Sequence, residues 1–172
     1  MKFLRFPLVI LLALLAELLL PRYVSGFFRF FDFMLIVVVF NSVSRSRIGA
    51  TLVGTSSGLV QDAFTDICFG LNGFSKTVVG YLASSFYQRF MIDTALTQLV
   101  VLAVATWLDT GVRLALRAAL FGEAPGAFFP DLLIRTACNA LGGVILMKLT
   151  VLIFRRLSAG RMRSRAVSRL SR

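Results

Sequence analysis

The sequence predicts an all-α integral membrane protein, a six-transmembrane-helix bundle, and three observations predict it. Hydrophobic residues make up 58% of the chain, mean hydropathy is +0.84 and there are 17 phenylalanines in 172 residues. Water-soluble domains stay nearer an apolar share of about 45–50%. Apolar stretches recur along the whole chain, and six spans of roughly 20 residues each fill about 120 residues, leaving only short connections. The basic residues fall to one side of such a fold. With both termini cytoplasmic, Lys2, Arg5, Arg45, Arg47, Arg89 and the seven arginines after residue 154 all lie inside, twelve of the 19 lysines and arginines, which is the positive-inside pattern for an even number of crossings.

Residues 1–20 open with Lys2 and Arg5 and continue as an apolar run interrupted only by Glu17. The run ends in Leu20, Pro21, Arg22 and Tyr23 rather than in a small-residue cleavage site, so it reads as a first span and not as a signal peptide. Glu17, near its far end, is expected to reach headgroup water. The second span, 24–43, gathers Phe27, Phe28, Phe30 and Phe31 at its start and a β-branched run at 36–39. In water 35–40 would read as a buried strand, but an open strand in lipid leaves its backbone groups unpaired, so a helix is expected. Asp32 is expected to pair with Arg29 at the membrane boundary.

Arg45 and Arg47 mark a polar turn, and the third span follows at 49–65. Ala50, Gly54, Gly58, Asp62 and Asp66 recur every four residues there and share one helix face. Gly54 and Gly58 form a GxxxG pair, which lets another backbone come close, either within the bundle or from another protein. A tight turn leads to the fourth span at 70–87, where Asn72, Lys76, Gly80, Ser84 and Gln88 repeat the four-residue spacing, a stripe that should face protein.

The stretch 92–121 is too long for one straight crossing at about 1.5 Å per residue, so it tilts or continues as an amphipathic extension past Trp107. Asp109 and Arg113 are four apart and can pair, with Arg117 one turn on. Pro125, Gly126 and Pro130 make 122–130 a loop. The last span, 128–154, carries a polar line of Asp131, Arg135, Asn139 and Gly143, and Lys148 can extend to the cytoplasmic surface. Residues 1–157 thus form the six-span domain and 158–172 a basic cytoplasmic tail.

Charge and composition narrow the function. The net charge of +11 is mostly a property of the tail, with Arg155, Arg156, Arg161, Arg163, Arg165, Arg169 and Arg172. Such a tail suits anionic lipid headgroups at roughly 1 kcal/mol per basic residue. Without aromatic residues interleaved in the charge, nucleic acid is not the expected partner. Cys68 and Cys138 are the only cysteines and histidine is absent, which excludes a Cys/His metal site and a His-assisted nucleophile. Both cysteines read as packing residues, with a disulfide left open.

An ionisable group at the centre of a spanning helix costs about 2.5–3.5 kcal/mol, so Asp62 needs a partner, a protected cavity or water. Asp62, Lys76, Asp109, Arg113 and Arg135 all fall toward the same half of the predicted bundle, with Asp66 and Asn72. They are candidate buried ion pairs, expected to fix the turn between the third and fourth spans. Asp62 and Asp66 have no recognisable nucleophile, metal box or phosphate-cradling loop around them, so neither an enzyme nor a cofactor site is expected.

Residues 58–81 read GLVQDAFTDICFGLNGFSKTVVGY. The order Gly58, Asp62, Gly70-Leu71-Asn72 and Gly80-Tyr81 resembles the signature of the MreD family of rod shape-determining membrane proteins. Lys76, where an apolar residue is usual, and the long arginine-rich tail depart from that pattern. The resemblance implies a non-catalytic scaffold of the bacterial inner membrane, multi-pass and with both termini cytoplasmic. Its implied partner is an MreC-like bitopic protein and, through it, MreB, RodA and a class B penicillin-binding transpeptidase that build lateral peptidoglycan. It also implies a fold like the S-component of energy-coupling factor transporters, so the alternative is a substrate-binding subunit of a vitamin transporter. That alternative requires Asn72, Lys76 and Trp107 to line one cavity.

Overall fold

Helix satisfies backbone groups within one segment, and six helices account for nearly all the residues described in the computed structural model: 5–23, 30–44, 46–65, 68–90, 94–122 and 131–149. No strand occurs among them. The helices are α1 (Arg5–Tyr23), α2 (Phe33–Ser44), α3 (Arg47–Thr65), α4 (Leu71–Phe90), α5 (Ala95–Phe121) and α6 (Asp131–Leu149). The arginine-rich tail, Arg29, Asp66 and the 123–130 loop lie outside the described residues.

Local chemistry sets the helix ends. Asp32 caps α2: its Oδ1 accepts the Leu35 N–H at 2.8 Å and its carbonyl the Ile36 N–H at 3.2 Å. Residues 24–29 of the second predicted span lie outside the described residues, and among those described its α-helix starts at Phe33. Ser46 caps α3 through the Gly49 N–H at 3.2 Å. Thr94 caps α5 through the Thr97 N–H at 3.3 Å, and Gly122, left-handed at φ 66°, closes it. Between those caps α5 runs unbroken for 27 residues, about 40 Å.

Helices α5 and α6 are long and apolar enough, by length and composition, to cross a membrane. Three of the other helices are shorter or more polar than an ordinary crossing. Helix α2 has 12 residues, about 18 Å against a hydrocarbon core of about 30 Å. Helices α3 and α4 have the length but are diluted by polar residues, among them Ser56, Ser57, Gln61 and Asp62 in α3 and Asn72, Ser75 and Lys76 in α4.

The two four-residue stripes meet each other. Helices α3 and α4 run antiparallel, with Ala50 opposite Gly80, Gly54 opposite Lys76 and Gly58 opposite Asn72. A Cβ added at Gly54 would strike the Lys76 carbonyl, one at Gly58 would lie 2.6 Å from the Gly73 Cα, and one at Gly80 would lie 2.6 Å from the Ala50 carbonyl oxygen. Thr55 and Thr77 join their hydroxyls at 2.7 Å across the same seam. The GxxxG face is thus filled from inside the chain.

Helix α2 lies at the centre, in contact with α1, α3, α4 and α5, and Met34, Leu35, Val38 and Val39 are fully buried. The main apolar core joins α2 to Val53, Val79, Ala83, Leu102, Ala105, Ala140 and Val144. A smaller cluster seats Ile10, Ala13 and Leu14 of α1 against Met34. Outside, the usual arrangement is inverted: Leu12, Leu52, Phe74, Leu96, Leu133 and Leu141 are each more than half exposed, while Asp62, Lys76 and Asp109 are buried.

Candidate functional site

The buried charged residues gather where α1 and α3 finish and α2 and α4 begin, against the middle of α5, with Asn139 of α6 beside them. Helix α4 needs help to start there. Gly70 holds the N-cap position at φ 106°, a conformation that disfavours any side chain, and accepts the Phe74 N–H at 2.8 Å. It has no side chain to cap the remaining amides, and Asp62 supplies one from the end of α3. The Asp62 carboxylate accepts the N–H groups of Gly70 at 2.9 Å, Asn72 at 3.0 Å and Gly73 at 2.9 Å, and the Asn72 side-chain amide at 2.8 Å. A carboxylate at the positive end of a helix, with that many donors, is stabilised by both dipole and hydrogen bonds.

Asn72 carries the network to α5. Its Oδ1 accepts from Arg113 Nη1 at 3.2 Å, and Arg113 Nη2 pairs with Asp109 Oδ2 at 2.7 Å. Asp109 also accepts from the Ser75 hydroxyl and lies 3.6 Å from the Lys76 ammonium. Lys76, with no exposed surface, donates to Asp32 Oδ2 at 2.9 Å. The Asp32 N–H donates to Asn139 Oδ1 at 2.8 Å, and Asn139 in turn donates to the Thr106 hydroxyl at 3.3 Å. Glu17 of α1 accepts from the Gln61 amide and from the Met34 N–H at 3.4 Å. All six helices are tied into one chain of polar contacts.

Removing charges from water costs several kcal/mol per ion, and attraction repays it only when the remaining lone pairs and protons are also satisfied. The carboxylates approach that condition: each of Asp32, Asp62 and Asp109 accepts from more than one donor, and Lys76 lies between two of them. Such an arrangement fixes helix positions.

Several sequence expectations need correction. Asp62 joins no ion pair with Lys76; its partners are backbone amides and Asn72. Asp32 is buried against Lys76 and is not a boundary anchor; a pairing with Arg29 falls outside the described residues. Arg135 joins no ion pair among the described residues, and lines a separate pocket with Arg113 and Arg117. Glu17 bonds to protein groups rather than standing in water alone. Of the motif residues, Gly58, Leu71, Asn72 and Gly80 are buried, whereas Tyr81 is 47% exposed. Asn72 and Lys76 do not share a cavity with Trp107, which is 44% exposed and borders an apolar groove with Val104 and Leu108 on α5.

Sequence reasoning missed Glu17, Gln61, Ser75 and Thr106 as members of the network. The four-residue line through Asn139 was the available signal for α6, and the absence of any local cation except Arg29 was the signal that Asp32 looks elsewhere. The chain matches no protein-family model, no curated protein and no solved structure.

Proposed function

We propose that this chain is a non-catalytic scaffold of the bacterial inner membrane, with six spans and both termini cytoplasmic. In the manner of MreD it holds an MreC-like bitopic protein and so helps direct lateral peptidoglycan synthesis and rod shape. The observation that carries this reading is the polar chain through all six helices, whose carboxylates serve as helix caps and ion-pair partners. Groups engaged in that way are suited to holding a surface in place rather than to reacting.

The inverted exterior supports a lipid surrounding, since large apolar side chains face outward on α1, α3, α4, α5 and α6. In that orientation the polar network lies toward the outer leaflet. Because the glycine seam is filled by the α3–α4 pair, a partner helix meets the outward apolar faces. The transporter-subunit alternative draws no comparable support, with Lys76 and Asn72 engaged in the network.

Co-purification in mild detergent with identification of bound proteins tests the reading. A bitopic protein with a large extracytoplasmic region, captured by the parent chain and lost from a variant with an altered exterior, is the expected result. A retained vitamin-like molecule, with no bitopic partner, would overturn it.

A further inference from the structure

Between the second half of α5 and the first turn of α6 lies a pocket of about 280 Å³. Three guanidinium groups, those of Arg113, Arg117 and Arg135, line it together with one carboxylate, Asp131. With three cations to one carboxylate, the lining is net positive and suits an anion. We propose that this pocket binds a phosphate group, carried either by a lipid headgroup or by a soluble phosphate ester.

Four features favour phosphate. Arg113 is held in place from behind: its contacts to Asp109 and Asn72 fix the guanidinium, with only 20% of the side chain exposed. A planar fork positioned in advance loses little freedom when it binds an oxyanion. Arg135 has no ion pair or hydrogen bond among the described residues, and in particular none to Asp131 four residues earlier. The Thr110 hydroxyl is buried at the pocket wall without a hydrogen-bond partner among the described residues, so it has a donor to offer. Finally, the first turn of α6 contributes Asp131 and Leu132 to the lining, which sets the positive end of that helix at the site. The pocket exceeds what a bare phosphate fills, leaving space for a glycerol-sized attachment.

The inference goes beyond the scaffold reading and does not depend on it. Purified full-length protein in detergent is titrated with phosphatidylglycerol and monitored by native mass spectrometry, and separately with glycerol 3-phosphate and monitored by thermal protection. The parent is expected to bind at least one of the two probes. Loss of one charge-assisted contact in Arg135→Gln should weaken that binding by about tenfold. Removing the opposing carboxylate in Asp131→Asn should tighten it several-fold, a gain that misfolding cannot produce. Lipid retention with no effect of glycerol 3-phosphate identifies a headgroup site; protection by glycerol 3-phosphate identifies a soluble ester. The proposal is overturned if the parent binds neither probe, or if binding is the same in the parent, Arg135→Gln and Asp131→Asn.

Discussion

Replacing Asp62 by alanine should destabilise the protein strongly, and the geometry gives the size. The substitution strips the acceptor from three α4 backbone amides and from the Asn72 side chain. Asn72 and Gly73 are buried, so water does not readily replace the carboxylate at their amides. A buried donor left without a partner costs about 1–3 kcal/mol, and two of them give roughly 2–6 kcal/mol. Asp62→Asn keeps one acceptor oxygen and turns the other position into a donor facing N–H groups, so about half of that loss is expected. At about 2–4 °C per kcal/mol for a chain of this size, the midpoints should fall on the order of 10 °C for alanine and 5 °C for asparagine. Thermal exposure of the buried Cys138 thiol, in a Cys68→Ser background, reads the transition in detergent. Midpoints within a degree of the parent for both variants would show that the carboxylate is not the cap of α4.

Lys76→Met leaves Asp32 and Asp109 buried without their shared cation, and should cost roughly 3–5 kcal/mol. Combining it with Asp32→Asn should recover part of that loss, and the same thermal assay on the four proteins of the cycle measures the coupling. At the α3–α4 seam, Gly54→Ala should cost about 1–3 kcal/mol, since its methyl group meets the Lys76 carbonyl. Gly111→Ala in α5, where a methyl group meets nothing, should instead stabilise by about 0.5–1 kcal/mol. Equal midpoints for the two alanine variants would contradict the packing described.

Periodicity made some of this structure legible beforehand. Small residues every four positions record how closely two helices approach, so the stripes through Gly54 and Gly58 and through Gly80 could be read before their mutual contact was known. Asp109 and Arg113 were legible for a similar reason, because four-residue spacing places them on one helix face. The choice of distant partners was not. Asp32 bonds to Lys76 across 44 residues and to Asn139 across 107, while the sequence offered Arg29 three positions away. Asp62 looked like half of an ion pair because a sequence displays charged side chains and hides backbone amides. Hydropathy continues through 24–32 and gives no sign that Asp32, inside that stretch, caps a helix starting at Phe33.

The closeness of α3 to α4 bears on how the chain is made. Taken singly, α3 would present Gln61 and Asp62 to hydrocarbon, and α4 would present Asn72 and Lys76. Each is a poor candidate for release from the translocon by itself. If the chain spans the bilayer as proposed, the pair, joined by a connection of only a few residues, with Gly54 and Gly58 against the opposing backbone and Asp62 closing the start of α4, would enter it as one hairpin. In the proposed membrane setting, biogenesis of this pair is therefore a single concerted insertion, completed when α5 brings Asp109 to Lys76.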